Sequence, residues 1–86
     1  MSPRRWFLLK AREAHRTGEH ALESAWLGKQ LELPGTPLPV TFPGYGLLLA
    51  AGYVAMQDLV GADADELRTI GLTLNETTAV LAAIAT

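Results

Sequence analysis

The stretch DADELRTIGLTLNE at residues 63–76 contains two helix starts separated by a glycine. In Asp63-Ala64-Asp65-Glu66, an aspartate suited to an N-cap is followed three positions later by glutamate, which is a variant of the capping box. Thr73-Leu74-Asn75-Glu76 is a full capping box and predicts that a second helix begins directly after it. Gly71 lies between the two starts and is expected to end the first helix. The stretch therefore predicts two helices joined by a short turn.

Similar signals divide the residues that come before this stretch. Pro43 can open a helix, and Gly52 is a suitable residue to end it. A second short helix is predicted over residues 55–60, with Gly61 directly after its end. We therefore predict an all-α chain in which residues 44–86 form a compact bundle of about four short helices.

The order of apolar and small residues in this half resembles that of a helix-hairpin-helix domain. The matching positions are Leu48-x-x-Ala51-Gly52-Tyr53-x-x-x-x-Asp58-Leu59, Asp65-Glu66-Leu67-x-x-Ile70-Gly71-Leu72 and Ala79-x-x-Ala82-x-Ile84. The likeness covers residues 43–86. The same compact, SAM-like bundle of helices is found in the C-terminal domain of the bacterial RNA polymerase alpha subunit. It implies a compact helical fold. In that family, a Gly-apolar-Gly hairpin before the last helix binds a DNA phosphate through its backbone N–H groups.

This chain departs from the family at the hairpin itself. Gly71-Leu72 matches the first two positions, but Thr73 replaces the second glycine and is expected to cap the last helix. The last helix carries only one charged residue, Glu76, and residues 34–86 have a net charge of −4. Such a charge opposes binding to a polyanion. The resemblance is therefore a better guide to the fold than to DNA binding. A role in protein–protein contacts fits the charges better.

The region before the prolines has the pattern of a helix. No proline interrupts residues 4–32, and residues spaced by three and four positions form one stripe: Phe7, Ala11, Ala14, Gly18, Ala21, Ala25 and Gly28. This pattern favours one long helix. The alternative is a break at Thr17-Gly18 into two helices, with Thr17 as the N-cap of the second.

A proline-rich linker separates the two regions. Residues 33–44 contain Pro34, Pro37, Pro39 and Pro43, which favour an extended backbone. The linker is predicted to be a stiff spacer, or less commonly an arm that lies over a neighbouring molecule. We therefore divide the chain into an N-terminal docking helix (1–33), the linker (34–43) and the helical bundle (44–86).

The run Trp6-Phe7-Leu8-Leu9 is the main candidate for an interface. Four consecutive apolar residues in a helix point about 100° apart and so cover nearly all of its sides. A small core cannot easily bury all of them, so part of the run is expected to contact another molecule. Trp26 is added to this predicted protein interface, because tryptophan often anchors such contacts.

Composition limits the other classes of protein. The 86 residues carry a net charge of −2 and no cysteine, which excludes disulfides and thiolate metal sites. The start, Arg4-Arg5-Trp6-Phe7, resembles a twin-arginine export signal, but Lys10 and Arg12 follow too soon for its apolar region. The longest apolar run, 45–56, is shorter than the ~20 residues of a membrane span. We expect a cytoplasmic protein, or one incorporated in a large particle, with no membrane partner.

Three residues on one predicted helical face have side chains that can bind a metal. His15, Glu19 and Glu23 follow at intervals of four, with His20 nearby, and a metal ion could use two of them. Without a third and fourth ligand at typical spacing, we favour a solvated face with His–Glu pairs. The sequence predicts no catalytic residue, no metal site and no cofactor.

These patterns favour a non-enzymatic module for protein–protein interaction or assembly, whose partner is a second copy or another subunit. A minor structural subunit of a phage particle is one setting for it. The alternative is a DNA-binding helix-hairpin-helix protein that uses its basic N-terminal helix, since residues 1–33 have a net charge of +2. Its phosphate contacts would come from Arg4, Arg5, Lys10, Arg12, Arg16, Gly71 and Thr73.

Overall fold

The computed structural model describes residues 2–85, and within this range it contains six α-helices and no β-strand. The helices are α1 (Pro3–Arg16), α2 (His20–Glu32), α3 (Tyr45–Ala50), α4 (Met56–Leu59), α5 (Ala64–Thr69) and α6 (Leu74–Ile84). The prediction of an all-helical chain is confirmed. Residues 1 and 86, the outer limits of the two predicted terminal regions, lie outside the described residues.

Helices α1 and α2 form a hairpin, so the prediction of one long helix is wrong. Gly18 has a φ of 78°, a left-handed conformation that costs glycine little because it has no β-carbon. The N–H of Gly18 donates to the carbonyl of His15 (3.2 Å), and that of Glu19 donates to the carbonyl of Ala14 (2.9 Å). This pair of bonds is a Schellman motif, which ends α1 and reverses the chain. Thr17 is the C-cap of α1, not the N-cap of α2.

Four short helices follow in the second half, as predicted. The Asp63 side chain accepts a hydrogen bond from the N–H of Glu66 (2.8 Å) and so caps α5. The Thr73 hydroxyl accepts from the N–H of Glu76 (3.1 Å), and the Glu76 carboxylate accepts from the N–H of Thr73 (2.9 Å). Glycines with positive φ follow α3, α4 and α5 at positions 52, 61 and 71. The relationship of this bundle to helix-hairpin-helix domains stays a prediction.

The proline-rich linker is built into the fold and is not a free spacer. Leu38 and Phe42 are buried in the hydrophobic core. The N–H of Leu38 donates to the carbonyl of Val54 (3.1 Å), and the N–H of Met56 donates to the carbonyl of Thr36 (2.9 Å). The linker therefore lies as an extended strip along the segment that leads into α4.

One hydrophobic core joins the hairpin to the bundle. Leu8 from α1 belongs to the same buried cluster as residues from the linker and the second half, among them Leu38, Leu48, Leu59, Leu67 and Val80. The radius of gyration is 12.3 Å, close to the about 12 Å expected for one compact domain of this length. None of the helices between residues 2 and 85 has the length and hydrophobicity that a membrane span requires.

Candidate functional site

Folding divides the Trp6–Leu9 run between the core and the surface. Leu8 is completely buried, whereas 45% of Trp6 is exposed and Phe7 and Leu9 are half-buried. Positions two apart in a helix point about 200° away from each other, so burying Leu8 turns Trp6 outward. The bundle therefore covers one side of this run and leaves another side in contact with solvent.

Three aromatic rings form a cluster on the outside of the hairpin. The ring centroids of Trp6 and Phe7 are 5.3 Å apart, and those of Trp6 and Trp26 are 5.5 Å apart, both edge to face. Phe7 and Trp26 stack with their centroids 5.8 Å apart. The Lys10 ammonium lies 5.4 Å from the centroid of the Trp6 ring, in range of a cation–π contact. These contacts fix the rings in place while leaving Trp6 accessible.

Next to this cluster, α2 offers more exposed apolar surface. Gln30 is its only buried residue, and 43% of Leu22 is exposed. A shallow groove of about 220 Å³ runs between α1 and α2, and Leu22 and Trp26 are among its lining residues. We call Trp6, Leu22 and Trp26, together with this groove, the outer face. It contains Trp6 and Trp26 of the predicted interface, while Leu8 lies in the core.

The two arginines at the start of α1 are used inside the protein. The Arg4 Nε lies 2.9 Å from Oδ1 of Asp58, whose side chain is fully buried. Oδ2 of Asp58 also accepts the N–H groups of Val54 and Ala55, at 3.0 and 2.9 Å. Arg4 donates a further bond to the carbonyl of Leu33, where the linker begins. This buried ion pair therefore has hydrogen-bond partners on both sides, as buried charges require.

A second pair links Arg5 to Glu66. The Arg5 Nη1 lies 2.9 Å from Oε2 of Glu66, and Nη2 donates to the other oxygen. The Tyr53 hydroxyl also donates to Glu66, and Arg12 donates to that hydroxyl. The hydrogen bond to Glu66 raises the pKa of Arg5, and burial raises the pKa of Tyr53. Burial alone would raise the pKa of Glu66, but hydrogen bonds from Arg5 and Tyr53 outweigh it and lower that pKa.

We call the Arg4–Asp58 and Arg5–Glu66 pairs the clasp. The acidic partners could not be recognised from the sequence patterns, because each looked ordinary in its own surroundings. Glu66 had a local role in the first turn of α5, and Asp58 was considered only as a position of the helix-hairpin-helix pattern and as part of the negative charge of the second half. A usable signal was present: an aspartate within an otherwise apolar segment is costly to bury unless it is paired.

The structure does not bring the nucleic-acid candidates together on one exposed surface. Arg4 and Arg5 are buried in the clasp and Arg12 is half-buried, while Lys10 lies beside Trp6 and Arg16 is exposed. Gly71 has a φ of 107° in the turn between α5 and α6, and Thr73 caps α6 with Glu76 bound to its N–H. The DNA-binding hypothesis stays a prediction, and three of its five cations, Arg4, Arg5 and Lys10, already have carboxylate partners.

The turn between α1 and α2 collects three side chains that can bind a metal. Nδ1 of His15 and Nδ1 of His20 lie 3.1 and 3.4 Å from the same oxygen, Oε1 of Glu23. The hydrogen bond from His15, followed by that from His20, lowers the pKa of Glu23. Glu19, which the sequence analysis grouped with His15, instead accepts a bond from the hydroxyl of Thr17. His15 therefore clusters with His20 and Glu23 and not with Glu19, because the segment that was predicted to be one continuous helix is a hairpin.

No protein-family model, no curated protein and no solved structure matches the chain.

Proposed function

We propose that this chain is a non-enzymatic protein–protein interaction module whose outer face binds a second copy of itself. The observation that carries the proposal is the 45% exposure of Trp6 in a cluster that also holds Phe7 and Trp26. Aromatic side chains that remain exposed and fixed by their neighbours are typical anchors of interfaces. Since Leu22 extends the same surface, the apolar patch reaches from α1 onto α2.

The order of residues along α2 supports a second copy as the partner. Glu19, Leu22, Trp26 and Lys29 follow at intervals of three, four and three, and so lie along one stripe. The stripe has opposite charges at its two ends and apolar residues between them. Glu19, Leu22 and Lys29 are exposed, and Trp26 is half-buried.

Such a stripe is complementary to itself when two copies run antiparallel. With a twofold axis that crosses the stripe midway between Leu22 and Trp26, Leu22 lies opposite Trp26 of the partner subunit. The same axis brings Glu19 opposite Lys29 of the partner subunit. Each contact then occurs twice, as a twofold interface requires. Ala25 is small and exposed beside the stripe, which allows the two helices to approach closely.

The first test is the mass of the protein by light scattering over a dilution series. We expect a dimer that dissociates on dilution, and a monomer at every concentration would overturn the proposal. Leu22→Ser should weaken the dimer by about tenfold or more, because it removes apolar area from both copies. Leu31→Ser is the matched control: Leu31 is 60% exposed, but it is nine positions further and so about 180° around the same helix.

A charge exchange tests the register of the two helices. Lys29→Glu places like charges opposite each other at both ends and should also weaken the dimer. Glu19→Lys should do the same. The double variant restores opposite charges and should recover most of the affinity. If the double variant is weaker than either single variant, the antiparallel register is wrong.

A further inference from the structure

The turn between α1 and α2 creates a cluster that neither helix has alone. His15 comes from the last turn of α1, while His20 and Glu23 come from the first turn of α2. One ring nitrogen of each histidine and a carboxylate oxygen of Glu23 all lie within 4.8 Å of one another. The Schellman motif at Gly18 sets this arrangement, because it fixes where α2 begins relative to α1.

These distances are close to those of a tetrahedral metal site. Zinc lies about 2.0–2.1 Å from its nitrogen and oxygen ligands, so ligand atoms in a tetrahedron are about 3.4 Å apart. Oε1 of Glu23 lies 3.1 Å from Nδ1 of His15 and 3.4 Å from Nδ1 of His20. The two histidine nitrogens lie within 4.8 Å of each other, and rotation of the exposed rings can shorten that distance.

We propose that His15, His20 and Glu23 bind a zinc ion. Two neutral imidazoles and one carboxylate are a ligand set that zinc uses in proteins, with a fourth position left for water or an external ligand. The side chains of His15 and His20 are 66% and 73% exposed, so the ion can enter and the imidazoles can turn towards it. Both histidines of the chain belong to this one cluster.

The site is separate from the outer face. His15 and Glu23 line a cleft of about 480 Å³ between the hairpin and the end of α3, together with Leu27. Leu22 and Trp26, each about 100° around α2 from its neighbour in this cleft, line the separate groove of the outer face. A zinc ion bound here would connect the end of α1 to the start of α2 and hold the hairpin turn. Its fourth ligand position would lie beside the cleft.

Isothermal titration with zinc chloride, in a buffer that does not chelate metals, tests the proposal. We expect one zinc ion per chain, a rise in melting temperature, and shifts in the ring signals of both histidines in NMR spectra. No heat and no change in melting temperature at millimolar zinc would overturn it.

Single substitutions test which residues hold the ion. His20→Gln and Glu23→Gln should each weaken zinc binding by at least about tenfold, since even residues that only orient a ligand have effects of that size. Glu32→Gln removes an exposed carboxylate at the other end of α2 and is the control, with unchanged affinity expected. Circular dichroism checks that each variant is folded. Zinc affinity that is equal in all of these variants would show that the ion binds elsewhere.

Discussion

The substitution Asp58→Asn tests whether the clasp holds the two halves of the chain together. Asparagine has nearly the same shape, and its carbonyl oxygen can still accept the N–H groups of Val54 and Ala55 that now donate to Oδ2. Its amide nitrogen would then face the Nε of Arg4, which lies 2.9 Å from Oδ1. Two donors would meet, and the Arg4 side chain, only 7% exposed, would keep its charge with no carboxylate to balance it.

The expected loss of stability is large for a chain of this size. Removing one partner of a buried ion pair costs about 3–5 kcal/mol. We expect the lower end, about 3 kcal/mol, because Arg4 keeps its bond to the carbonyl of Leu33. A small domain has an unfolding free energy of roughly 5 kcal/mol. The free energy of unfolding falls by about 1 kcal/mol for each molar of urea, so the urea concentration at the unfolding midpoint should fall by about 3 M.

Urea unfolding followed by circular dichroism measures this shift. Arg4→Met and the double variant Arg4→Met/Asp58→Asn complete a mutant cycle, and the double variant should lose less stability than the two single variants added together. Glu13→Gln is the control, because Glu13 pairs with Lys10 at 3.8 Å on the surface and such pairs contribute only about 0.2–1 kcal/mol. A loss below about 1 kcal/mol for Asp58→Asn would refute the argument, since the pair would then behave like one on the surface.

Two further predictions concern pH and backbone conformation. Folding lowers the pKa of Glu66 below that of an ordinary glutamate, so its contribution to stability is complete above that ordinary pKa and is lost as the pH falls through the lowered pKa. Urea midpoints from pH 7 to pH 3 should therefore fall more for the parent chain than for Glu66→Gln, and parallel curves would contradict this. Gly44→Ala should cost about 2 kcal/mol or more, because Gly44 has a φ of 66° and an added Cβ would lie 2.2 Å from Cδ2 of Leu72. Gly46→Ala, with nothing within 4 Å of its Cβ, should instead raise the melting temperature slightly, and an equal loss in both would contradict the reasoning.

Local signals were sufficient to predict most helices of the second half. The capping pair Thr73–Glu76 lies within one turn, so sequence neighbours alone determine where α6 begins. The break at Gly18 was harder to predict, because residues on both sides of it continue the same helical spacing. Only the backbone conformation of Gly18 distinguishes a hairpin from a long helix.

The candidate sites depend on contacts that no local pattern contains. Trp6 was predicted as an interface residue from its neighbours, and its exposure agrees with that hypothesis without testing it. Arg4 and Arg5 looked like surface cations because nothing near them in the sequence indicates a partner. The cluster of His15, His20 and Glu23 requires the hairpin, so it could not follow from a model of one continuous helix.

The clasp also affects the order in which the chain can fold. Arg4 and Asp58 are 54 residues apart, and Arg5 and Glu66 are 61 residues apart. Most other structure here forms between near neighbours, within helices, caps and short turns. During synthesis, the hairpin therefore emerges before either carboxylate of the clasp: Asp58 is made with α4, and Glu66 only with α5. Closing so long a loop has a large chain-entropy cost, so docking of the hairpin onto the bundle is expected to set the folding rate.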